Sequence, residues 1–149
     1  MSAFFAFLHH LFAFCLFSAL VLELVLLRRP LTLDTARLLQ RADLAYGVTA
    51  GLILVIGLAR VFYFEKGTDF YFHSLPFMLK MSLFAVVGVL SVWPTLEFLR
   101  WGKALKQDQL PQIEAGKLRQ MALVVHIELT GLLLIMLCAA LMARGIWML

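Results

Sequence analysis

Four apolar runs, at about residues 3–27, 44–64, 76–99 and 120–143, decide what this chain can become. Each is longer than the roughly 20 apolar residues that a helix needs to cross the ~30 Å hydrocarbon core of a bilayer. In lipid a backbone satisfies its own hydrogen bonds only as a helix or a closed barrel, and continuous apolar runs of this length select the helix. The sequence therefore predicts an all-α, integral membrane four-helix bundle, with the 149 residues forming a single transmembrane domain. Composition agrees: 63% of residues are hydrophobic, 15% are charged and the mean hydropathy is +0.94, far above the half-apolar content of soluble domains.

Charge outside the runs orients the bundle. Arg28, Arg29, Arg37 and Arg41 follow the first run, and Arg100, Lys103, Lys106, Lys117 and Arg119 follow the third. Lys66 and Arg144 lie on the other side, so the positive-inside rule predicts that both termini are non-cytoplasmic. The net charge of +4 is then a topology signal, and no nucleic-acid partner is expected. The first run lacks a positively charged leader and exceeds the length of a signal-peptide core, so it is expected to stay in the membrane. Cys15 and Cys138 sit at different depths and are expected to remain thiols.

Local signals refine the connections. After Pro30, Asp34 or Thr35 is expected to cap helix 2, and Pro111 to open helix 4. Pro94 is expected to bend helix 3 near its cytoplasmic end, with Ser91 and Thr95 covering the backbone group it frees. Gly47 and Gly51 form a GxxxG pair that suits close helix packing. The outer connection is crowded with rings, Phe62, Tyr63, Phe64, Phe70, Tyr71, Phe72 and Phe77, around a polar turn. Such density reads as an interfacial belt, and as the possible rim of a pocket.

Sorting polar residues by depth points to a site. His9 and His10 on helix 1, Arg60 on helix 2 and Lys80 on helix 3 fall at one level near the non-cytoplasmic boundary. A second layer, Glu23, Glu97, His126 and Glu128, lies toward the cytoplasm. At 100° per residue His9 and Glu23 share a face, Tyr46, Ala50, Ile53, Gly57 and Arg60 form one stripe, and His126 and Glu128 diverge. Ionised groups cost about 2.5–3.5 kcal/mol at mid-membrane on insertion scales, so their clustering calls for a reason.

Two imidazoles and two cations suit an anionic ligand that takes nitrogen donors. A b-type haem fits, with His9 or His10 on the metal, Arg60 and Lys80 on the propionates, and Tyr63 and Tyr71 at the opening. Glu23, Glu97 and Glu128 could relay protons. A quinone headgroup suits the same donors. Alternatively, the polar layers are internal ion pairs, such as Glu97 with Arg100 or Arg41, in a scaffold or accessory subunit of a larger complex or homo-oligomer. A bare metal site would need more ligands than adjacent His9 and His10 supply.

The stretches LHHLFAF, ADLAYG, GLARVFYFEKG, FMLKMSLF, SVWPTLEFLRW, HIELT and AALMARG resemble a bacterial family of small four-span inner-membrane proteins of unknown function. The resemblance implies a multi-pass protein of the bacterial inner membrane. At the level of layout, an early LH, the His73-to-Lys80 approach to helix 3 and a glutamate on helix 4 are similar to HemJ-type protoporphyrinogen oxidases and CopD-like membrane domains. That likeness implies a b-type haem near His9 or His10, Lys80 and Glu128.

Overall fold

The computed structural model describes residues 2–64 and 73–146. Its elements are α1 (Ser2–Leu27), α2 (Leu33–Ala59) running into a π-helical turn (Arg60–Phe64), α3 (Leu75–Lys106) and α4 (Ala115–Ala143). Each of the four helices is long and apolar enough to cross a membrane. Consecutive helices run antiparallel, and the neighbours in space are α1/α2, α2/α3, α3/α4 and α4/α1, a closed square. An even number of crossings puts both termini at one end. Lys66, Phe70, Tyr71 and Phe72 lie outside the described residues.

The core is a column of side chains from all four helices, including Leu16, Leu20, Leu39, Tyr46, Val87, Phe98, Met121, Val125 and Leu132. The outward faces stay apolar, as with Val48, Val55, Val89 and Leu99. Lipid solvates those faces, so association of the helices rests on van der Waals packing and polar contacts instead of a hydrophobic gradient.

Helix ends follow local chemistry. The cap of α2 is Thr32, not Asp34 or Thr35: its Oγ1 accepts from the Thr35 N–H at 3.2 Å. Its backbone is extended, as a capping residue requires, whereas Asp34 already lies in the first turn. Replacing Thr32 with alanine is expected to lower stability by about 1 kcal/mol in a chemical-unfolding titration in detergent. Both α3 and α4 close with Schellman geometry. Asp108 (φ 54°) and Gly145 (φ 67°) take the left-handed position, and the N–H groups of Gln109 and Ile146 reach back to Ala104 and Leu141. Asp108 also meets Arg37 across the bundle, tying the connection between α3 and α4 to the start of α2.

Three expectations change. Helix α4 starts at Ala115 rather than Pro111: residues 109–114 form no helix, and Glu114, with an extended backbone, is its cap. Pro94 lies within α3, and what differs is the cover expected for its freed backbone group: Ser91 Oγ donates to Gly88 O (2.7 Å) and Thr95 Oγ1 to Asp43 Oδ1 (2.7 Å). Gly47 and Gly51 have open space where a Cβ would stand, so they pack against no helix of this bundle. Close approach falls instead on Gly131, where an added Cβ would lie 2.5 Å from Val87 Cγ2.

Candidate functional site

At the end of the bundle that holds the termini, the four helices border a partly open cavity of about 870 Å³. Its walls are mainly apolar: Phe14 and Phe17 from α1, Ile53 and Gly57 from α2, Phe77 and Phe84 from α3, and Met136 from α4. Ala139, Ala140 and Ala143 line the α4 side, and these short side chains help to leave the space open. The polar wall consists of His9, His10 and Lys80.

The two histidines, adjacent in sequence, play different parts. The His9 ring lies against α2 at Gly57, where an added Cβ would come within 3.3 Å of Cε1. Glycine is what permits this approach. His10 Nδ1 is 2.6 Å from the Ala6 carbonyl of its own helix. A carbonyl can only accept, so Nδ1 carries the hydrogen, and in the neutral ring the lone pair sits on Nε2. A backbone carbonyl behind one nitrogen is the arrangement that orients imidazole ligands and raises their basicity. The rings stand edge to face, with centroids 6.2 Å apart and planes at 87°. Among the described residues no group of three or more His, Cys, Asp or Glu side chains is placed to hold a bare metal ion.

Lys80, half-buried, holds its ammonium 5.3 Å from the Phe77 ring centroid. Arg60 and Tyr63 are not among the cavity-lining residues. Ile53 and Gly57 of the stripe that aligned Arg60 with Tyr46 do line the cavity, whereas Arg60 stands where α2 passes into the π-helical turn. Tyr63 on that turn is 82% exposed. His73, just before α3, is also exposed and outside the lining. Tyr71 falls outside the described residues.

The second polar layer separates into two groups. Glu97 is ion-paired on both oxygens, Oε1 with Arg100 (2.6 Å) and Oε2 with Lys117 of α4 (2.8 Å). This is the internal pairing of Glu97 with Arg100 expected from the sequence, extended to a helix-to-helix clamp. Glu23 and Glu128 do not reach such partners. They are buried in the bundle with Asp43 and Tyr46, and Tyr46 hydrogen-bonds Glu128 and meets Ser91. His126 faces outward, as its angular divergence from Glu128 requires.

Asp43 is the functional candidate that sequence reasoning passed over, because it sits one residue before the apolar run of α2. The available signal was its i, i+3 relation to Tyr46, which puts both on the bundle-facing side of the helix. Cys15 is exposed and Cys138 buried, and both are free thiols.

Fold and sites together define a four-span membrane bundle with a largely apolar, histidine-walled cavity at one end and carboxyl groups packed inside the other half. The chain belongs to the family described as "Predicted membrane protein (DUF2214)", whose profile matches residues 1–147. Neither a curated protein nor a solved structure matches it.

Proposed function

We propose that this protein resides in the bacterial inner membrane with both termini on the non-cytoplasmic side, and that its cavity binds a redox cofactor, a b-type haem. One observation carries the reading: His10 is held through Nδ1 by the Ala6 carbonyl, with Nε2 as the remaining donor, on the wall of a cavity of about 870 Å³. Such a volume lies within the usual range of small-molecule sites. The donor set fits the group: an imidazole for iron, Phe14, Phe17, Phe77 and Phe84 for an apolar macrocycle, and Lys80 for a carboxylate. Haem, when bound, supplies one-electron redox chemistry. The chain's own residues orient the donor, neutralise acidic substituents and keep water from the ring.

The orientation rests on the nine Lys and Arg residues gathered at the end away from the termini. Reporter fusions at either terminus are expected to be active only outside the cytoplasm.

A quinone is the second reading. Lys80 is the one cation among the described lining residues, whereas haem carries two propionates, and a neutral headgroup needs only hydrogen-bond donors such as Lys80 and His9. The deciding experiment is the absorption spectrum of protein purified from haem-replete cells, followed by organic extraction. A Soret band is expected. Absence of that band, together with failure to bind added haemin, overturns the haem reading; quinone in the extract then supports the second, and a colourless, quinone-free protein supports a scaffold or accessory subunit.

A further inference from the structure

Away from the cavity, the four helices bring polar side chains together inside the bundle: Glu23 from α1, Asp43 and Tyr46 from α2, Ser91 and Thr95 from α3, and Glu128 from α4. The carboxyl groups of Glu23, Asp43 and Glu128 are 2%, 7% and 1% exposed. The charged groups that face Glu23 are Asp43 and Glu128, and those that face Glu128 are Glu23 and Asp43. Three like charges without a cation, in the interior of a lipid-embedded bundle, would each bear the insertion cost of an ion with nothing to offset it.

Two atoms make the cluster more than a collection of acids. Glu23 Oε1 and Glu128 Oε1 are fully buried and have no hydrogen-bond partner in the protein. Orphaned buried oxygens cost about 1–3 kcal/mol each, and more when charged, unless a donor reaches them. The surroundings are polar, with two to four candidate partners, which is the setting in which a buried water is held. Asp43 and Tyr46 already have side-chain partners in Thr95 and Glu128, so a donor for the two orphans has to come from water or from a proton on a neighbouring carboxyl.

We propose that Glu23, Asp43, Glu128 and Tyr46 form a proton-holding water site inside the bundle. A proton that arrives from outside and passes along the bound water converts a carboxylate to a carboxylic O–H, which donates to a neighbouring oxygen; release passes the proton back through the water to the same side, and the water stays neutral. Asp43, the least buried of the three and bonded to Thr95, is the point of exchange. The layer containing Leu16, Leu20, Val87 and Leu132 separates this site from the cavity, so it exchanges with the opposite side of the membrane. Glu97, held on both oxygens by cations, is not part of it. The site does not depend on what the cavity binds.

Infrared spectroscopy of the full chain in lipid nanodiscs at neutral pH tests this. The expected spectrum contains the C=O stretch of a protonated carboxylic acid, shifted to lower frequency in D2O and again by 13C labelling of glutamate. Glu23→Gln and Glu128→Gln are each expected to lose part of the band, while Glu97→Gln leaves it intact. Should either glutamine variant fail to fold, the labelling experiment on the unaltered protein still decides. No acid band at neutral pH, a band insensitive to glutamate labelling, or a band that survives both glutamine substitutions overturns the proposal.

Discussion

Replacing His10 with alanine is expected to abolish the Soret band of the purified protein, while His9→Ala leaves most of it. The reason is the asymmetry of two neighbouring rings. His10 has its Nδ1 hydrogen anchored on Ala6 O and its other nitrogen available as a donor, whereas His9 packs onto the backbone of α2 at Gly57. Loss of an outer-shell partner alone weakens metal binding roughly 10- to 100-fold. Loss of the ligand itself is expected to exceed that, at least about 2.7 kcal/mol. Lys80→Ala is expected to weaken retention without removing the iron ligand, seen as a band of normal position but lower occupancy. The reverse result, a Soret band kept in His10→Ala and lost in His9→Ala, assigns the ligand to His9 and removes the argument from the anchored ring.

Gly131→Leu is expected to produce the largest loss of stability of any single substitution in the α3–α4 contact. Even the Cβ of alanine would stand 2.5 Å from Val87 Cγ2, and Val87 is 4% exposed, with no room to retreat. Overpacking of this kind costs about 1–3 kcal/mol for modest insertions, and leucine adds three more carbons at the same point. In a membrane the effect falls directly on what holds the helices together, since close packing drives their association. A thermal or denaturant unfolding series in detergent reads it. Val87→Ala is expected to recover much of the loss in Gly131→Ala by removing the opposing methyls. Gly47→Ala and Gly51→Ala, which face open space, are expected to change little; if they destabilise the monomer as much as Gly131→Ala does, the packing described for α3 and α4 is wrong.

The boundaries of the helices show how far linear information reaches. The apolar runs predict four crossings, and the helices contain them, yet α2 begins well before its run and α3 continues through Lys106, past the end of its own. Hydropathy reports where lipid is, and a helix does not have to stop there. The end of α3 at Asp108 turns on a left-handed residue that is not glycine, and its carboxylate meets Arg37 near the start of α2, 71 positions away. Nothing local in either segment announces that pairing.

For the sites, depth was legible and direction only partly so. His9, His10 and Lys80 were expected at one level and do line one cavity, because position along a spanning helix converts simply into depth. Arg60 was expected beside them and is absent from the lining, although Ile53 and Gly57 of its stripe do line the cavity. Glu97 and Glu128, both glutamates of the second layer, ended in opposite settings: one clamped by Arg100 and Lys117, the other enclosed with Glu23, Asp43 and Tyr46.

By itself the sequence determined the class of molecule, the number of its crossings and the depth of its polar residues, because the bilayer is a solvent that reads length and hydropathy one segment at a time. Only the tertiary structure decided which glycine is indispensable to packing, which histidine has its ring anchored and which carboxyl groups share an interior without a cation. Those depend on how four helices rotate against one another, and that rotation is set by side chains meeting across helices that lie far apart in the chain.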